Sequence, residues 1–113
     1  MNTRSYEAAL KSIERIAKPS AQIMEAKQKI LFQLGTQSFA NANFEQALQY
    51  LNQSIAIGQY NRQTKADAYY WCGESYYRLN RMMEAARDFN AYLQLTTQPN
   101  NEMYALANYN LGY

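Results

Sequence analysis

Residues 31–51 read LFQLGTQSFANANFEQALQYL, and residues 69–89 read YYWCGESYYRLNRMMEAARDF. Laid one over the other, they set Gly35 on Gly73 and Ala47 on Ala85, with 38 residues between equivalents. The pattern extends outward. Ala9 stands 38 residues before Ala47, and Gly112 follows Gly73 by 39. Tyr6-Glu7-Ala8-Ala9-Leu10 answers to Phe44-Glu45-Gln46-Ala47-Leu48, and again to Met82-Met83-Glu84-Ala85-Ala86. A fixed period in this range marks supersecondary units that each bury a face against the next. The expectation is an all-α solenoid of about six helices in one domain.

Composition agrees with helix. Four Gly and two Pro leave few breakers, and 48% hydrophobic residues are enough for a core. The spacing predicts a first helix over 4–17, with Tyr6, Ala9, Leu10, Ile13, Ile16 and Ala17 on one stripe. Pro19 disfavours helix at Lys18, and Ser20 can cap a second helix over 21–41. Asn41-Ala42-Asn43 forms a tight turn with a capping Asn before a third helix over 44–57. Gly58 stands where a left-handed C-cap is expected. A fourth helix begins at Thr64-Lys65-Ala66-Asp67 or at an earlier cap, Asn61, and reaches about Leu79. A fifth covers 82–96, and a sixth starts near Asn101. Period-two alternation is absent, so no sheet is expected.

These residues resemble the tetratricopeptide repeat family, and the resemblance implies a right-handed superhelical solenoid of antiparallel helix-turn-helix units. The first complete unit, 21–57, carries Leu31, Leu34-Gly35, Ser38, Phe44, Ala47, Leu51 and Ser54. The second, 64–96, carries Tyr69, Cys72-Gly73, Tyr76, Met82, Ala85, Phe89 and Tyr92. Residues 4–17 match the second helix of a preceding unit, and 101–113 the start of a third. The chain therefore reads as a fragment of a longer array. Two departures from the family are the longer period and the lack of proline after the second helix, where Gln59 and Thr97 stand. The signature residues Ala9, Gly35, Ala47, Gly73, Ala85 and Gly112 would sit where helices cross, because a small side chain lets backbones approach.

The resemblance further implies that the first helix of each unit lines a concave groove. On this chain that face takes Phe32, Gln33, Thr36, Phe39 and Ala40 from one helix. The next gives Tyr70, Trp71, Glu74, Tyr77 and Arg78, and the last gives Tyr109, Asn110 and Tyr113. The partner expected there is a protein or peptide of unknown identity, held by aromatic contact. Local packing of the same aromatics is the competing reading. A structural spacer or self-association segment, with a homodimer through uncapped terminal helices, is the alternative function.

Other classes find little support. Basic and acidic residues, eleven and nine, are interleaved, so no basic stripe suggests nucleic acid. Histidine is absent, and with it the commonest general base and metal ligand. Neither a nucleophile–base pair nor a metal cluster is legible, so the expectation is no enzyme, no cofactor and no metal. Glu84 and Asp88 read as solvated helix carboxylates, and Glu74–Arg78 as an intrahelical ion pair. Cys72, the only cysteine, reads as a small core residue, and Met82-Met83 as core and turn packing. No apolar run approaches the roughly 20 residues of a membrane span. The cytosol and a periplasm both stay open.

Overall fold

The computed structural model describes residues 3–97 and 102–111. Among them the chain is all-α, with six helices and no strand. They are α1 (Thr3–Glu14), α2 (Ala21–Ala40), α3 (Phe44–Ala56), α4 (Arg62–Arg78), α5 (Met82–Leu95) and α6 (Glu102–Asn110). A 3-10 turn, Gly58–Tyr60, joins α3 to α4. Each helix packs mainly on its neighbours in sequence, and α2 also reaches α4. The molecule is accordingly elongated, 44 by 27 by 22 Å.

The two central hairpins, α2–α3 and α4–α5, cross at their glycines. A Cβ added to Gly35 would stand 2.6 Å from Leu51 Cγ and 3.4 Å from the Ala47 carbonyl oxygen. One added to Gly73 would stand 2.8 Å from the Phe89 ring. Ala47 and Ala85 are buried beside these contacts. The alanines thus clear the approach, while the side chain four residues on closes over the glycine. Ala9 on α1 is half-buried, and Gly112 lies outside the described residues.

The turns inside the two hairpins superpose bond for bond. In the first, Ala42 N–H donates to Phe39 O and Asn43 N–H to Ser38 O, at 2.9 and 2.8 Å. In the second, Asn80 N–H donates to Tyr77 O and Arg81 N–H to Tyr76 O, at 3.0 and 2.8 Å. This is the Schellman closure, which needs a left-handed residue after the helix. Ala42 (φ 60°) and Asn80 (φ 64°) supply it without glycine. The residue opening the next helix then clasps its third residue. Asn43 Nδ2 donates to Gln46 Oε1 at 2.8 Å, and Arg81 Nε to Glu84 Oε2 at 2.6 Å. Asn43 therefore holds a side chain rather than capping a backbone N–H.

The links outside the hairpin turns depart from expectation at Gly58 and at the end of α1. Gly58 is not a left-handed cap. It opens the 3-10 turn, is buried, and leaves room for the Lys65 stem, which a Cβ would approach to 2.5 Å. Of the two proposed starts for α4, Asn61 is the one used: its Oδ1 accepts from Thr64 N–H at 2.9 Å. Ser20 caps α2 as expected, accepting from Ile23 N–H at 3.2 Å. Helix α1 stops at Glu14, three residues early, as Arg15 and Ile16 turn into 3-10-type bonds to Ser12 and Ile13. Ile16 and Ala17 consequently leave the stripe and are exposed.

The core forms two clusters. One gathers Ala47, Leu48, Leu51, Ala68 and Cys72 between α3 and α4. The other gathers Ala66, Tyr70, Ala85, Phe89, Tyr92 and Ala107 among α4, α5 and α6. Trp71 and Tyr76 touch both, and so tie the hairpins into one body.

Candidate interaction face

The candidate face is built from α2, α4 and α6. Phe39, near the end of α2, meets the Trp71 ring edge-on at 5.0 Å and Phe44 at 5.3 Å. Trp71 meets Tyr70 at 5.1 Å, perpendicular. Such edge-to-face pairs are worth about 0.5–1.5 kcal/mol beyond their area, so this run also joins the hairpins. Phe32, Phe39 and Trp71 remain half-buried. Around them Gln33, Ala40, Tyr77 and Arg78 are exposed, and the Arg78 guanidinium lies over Phe39, 5.4 Å from the ring centre. Thr36 is half-buried, its hydroxyl donating to Gln33 O at 3.0 Å.

Tyr70 does not line a groove. It is 3% exposed and packs against Phe89 and Tyr92, at 5.7 and 5.5 Å. The equivalent Phe32 stays half-open because α3 brings the smaller Leu51 and Ser54 to the matching positions. Tyr109, at 78% exposed, is the register equivalent of Tyr70 on α6. Tyr113 lies outside the described residues.

The expected Glu74–Arg78 ion pair does not form. Glu74 Oε1 instead accepts from Tyr70 Oη at 3.2 Å and from Asn110 Nδ2 at 2.7 Å. Glu74 thus ties α4 to α6, while Arg78 turns to the aromatic ring. Nothing in the spacing of Glu74 and Asn110 alone signals that bond, because it depends on how α6 docks. Tyr77 and Asn110 border a cavity of about 210 Å³ with Met82, Phe89 and Leu111 at the α5–α6 seam. Met82 and Met83 are 48% and 85% exposed, contrary to the expected core role. As the first two residues of α5 they precede the stripe that begins at Ala85.

Titratable groups elsewhere are engaged in packing. Burial pushes the Cys72 thiol well above the usual range, and the nearby Asp88 charge adds to it, so the thiol stays protonated. Burial likewise raises the Asp88 carboxyl, although Arg87 bonds it at 3.0 Å. Glu84 is taken by Arg81 at 2.6 Å, which leaves the two α5 carboxylates with separate partners. Among the described residues no group of three or more His, Cys, Asp or Glu is placed to hold a metal ion. No described helix is long and apolar enough to cross a membrane.

One polar site escaped the sequence reading. Gln28 is fully buried, its side-chain amide donating to Asn61 O at 2.8 Å and Gly58 O at 3.4 Å, while its backbone carbonyl accepts from Ser54 Oγ at 2.8 Å. Glu25 joins it, accepting from Asn61 Nδ2 at 3.1 Å. That hydrogen bond, followed by Lys29, holds the Glu25 carboxyl below its usual range. The available signal was positional: Gln28 occupies the level of Ala66, a buried apolar position one unit later. Comparison of the chain with protein-family models, with curated proteins and with solved structures gives no match.

Proposed function

We propose that the chain is a non-catalytic protein-interaction module of the tetratricopeptide kind, its hairpins continuing as a right-handed solenoid and receiving a peptide or protein segment along α2 and α4. The observation that carries this reading is the Phe39–Trp71 pair. Two large rings lie at the seam of two hairpins, half-open, beside exposed Gln33, Tyr77 and Arg78. Rigid aromatic edges ringed by polar side chains are the composition of a binding hot spot. Helices that are already packed reduce the ordering cost of binding.

The test uses the exposed members, because Trp71 also supports the core. Tyr77→Ala, Arg78→Ala and Gln33→Ala leave the melting temperature within a few degrees. They reduce capture of whatever partner co-purifies with the intact chain. Glu45→Ala and Asn90→Ala, on exposed positions of α3 and α5, serve as controls. Partner capture that survives all three face variants would sink the proposal. The spacer reading draws on a separate observation, the 42% exposure of Leu106 on α6. Under it, Leu106→Ser changes the oligomeric state and the face variants do nothing.

A further inference from the structure

Helices α4 and α5 and the turn between them hold four arginines, and three have polar partners. Arg62 bonds to Leu95 O at 3.0 Å, Arg81 to Glu84 at 2.6 Å and Arg87 to Asp88 at 3.0 Å. Arg78 makes no hydrogen bond or ion pair among the described residues, and its guanidinium lies over the Phe39 ring of α2. Glu74 is placed to pair with it, because a carboxylate one turn before an arginine is the favourable order on a helix. Tyr70 and Asn110 hold that carboxylate instead. Helix α4 therefore turns its acid toward α6 and its guanidinium toward α2.

The α2 side of this seam is otherwise uncharged. Residues 31–43 contain no Asp, Glu, Lys or Arg. Lys29 lies about 15 Å back along the helix from Phe39 and pairs with Glu25. One positive charge thus stands beside the half-buried Phe32, Phe39 and Trp71. Both walls of the seam, α2 and α4, are in place. Ala40, the equivalent of Arg78 on α2, is exposed although α4 packs alongside, so this level is open with a neighbouring hairpin docked. Stacking on Phe39 fixes the guanidinium plane, which lowers the ordering cost of pairing. Its N–H fork matches one carboxylate. A phosphate, with up to two charges, calls for more cations than the seam holds.

We infer that the segment received along α2 and α4 sets an aspartate or glutamate side chain on Arg78, next to a large apolar side chain seated on Phe39 and Trp71. This rests on the reading of that face as a peptide site and adds the chemistry of its occupant.

A phage-displayed library of random linear peptides is selected on the immobilised chain and, in parallel, on its Arg78→Glu variant. Arg78 is exposed, so the variant keeps its fold, which helical circular dichroism checks. Peptides won on the unaltered chain are expected to share an acidic residue at a fixed distance from a large apolar one. Those won on the variant are expected to carry lysine or arginine there. In a synthetic winner, glutamine in place of the acid weakens binding about fivefold on the unaltered chain and leaves binding to Arg78→Gln unchanged. Winners that share no acid, yet lose affinity on Tyr77→Ala and Gln33→Ala, overturn the inference and leave the peptide site standing. A shared acid that persists on Arg78→Glu overturns it too, as does tighter binding with phosphoserine in place of the acid. No enrichment on the unaltered chain, or winners indifferent to every face variant, overturns the inference and the peptide site together.

Discussion

Hairpins α2–α3 and α4–α5 reach the same crossing with different materials. The first closes Leu51 over Gly35 and bonds Ser54 Oγ to the backbone carbonyl of buried Gln28; the second closes Phe89 over Gly73 and buries Ala66 and Tyr92 in one cluster. Bulk has moved from the first helix to the second at one level, and from aliphatic to aromatic at the other. Close packing is met in each hairpin by a different pairing of sizes. The polar cost is unequal as well. Gln28 spends its amide on the link to α4, and its Oε1 is buried without a partner, whereas Ala66 has nothing to satisfy. A buried polar atom left unpaired costs about 1–3 kcal/mol, so the first hairpin is the more expensive design.

The crossing glycines give the largest expected effect. Gly35→Leu and Gly73→Leu each lose about 3 kcal/mol in urea unfolding, because a side chain must enter space held by Leu51 or Phe89. The milder Gly→Ala pair separates the hairpins. Leu51 can change rotamer where the Phe89 ring cannot flex, so Gly73→Ala is the more destabilising. Equal losses would mean that the aromatic packing around Phe89 is no stiffer than the aliphatic packing around Leu51.

Next comes the size exchange. Ser54→Tyr alone costs about 2 kcal/mol, because the larger side chain overpacks against the Gln28 turn of α2 and the bond from Ser54 Oγ to the Gln28 backbone carbonyl is lost. Adding Gln28→Ala imports the Ala66–Tyr92 arrangement and should recover at least about 1 kcal/mol of that loss in a double-mutant cycle. Strict additivity would break the comparison.

Electrostatics supplies a smaller and pH-dependent contrast. Burial raises the folded-state pKa of Asp88, on α5, above its ordinary value of 3.8, and does the same for Asp67, on α4. A carboxyl so raised binds its proton more tightly in the folded chain. The stability this contributes is fully present below the unfolded pKa and is lost as pH rises through the folded one. Asp88→Asn should therefore flatten the dependence, with its advantage over the natural residue growing as pH rises above about 4 in thermal melts. An advantage that shrinks over that range would contradict the sign.

The smallest effect lies in the turns. Ala42 and Asn80 both adopt positive φ, but asparagine tolerates that region better than alanine. Ala42→Gly should stabilise by about 0.5–1 kcal/mol, and Asn80→Gly by less, read from the urea midpoint. A reversed order would show that the turns differ in more than their third residue.

The sequence carried the crossings because glycine and alanine at matched spacing report backbone approach directly. It carried the caps at Ser20 and Asn61 for a similar reason: each acts within three residues of itself. What it hid was set at longer range. The left-handed turn at Ala42 lacks the glycine that would announce it. Gly58 carried the opposite message, since its smallness serves the Lys65 stem rather than a helix end. On the candidate face, Phe32 and Tyr70 look alike by position, and only the size of what α3 and α5 bring decides that one stays half-open and the other is sealed. The Glu74–Asn110 tie was beyond reach for the same reason, as it joins residues 36 apart through helix docking.

Cys72 gives the molecule a built-in reporter. Its thiol is the only one in the chain, wholly enclosed between α3 and α4, and neutral under ordinary conditions. A sulfhydryl reagent can reach it only when those helices part. The rate of its capture therefore clocks how often the two hairpins breathe open, without any label being introduced.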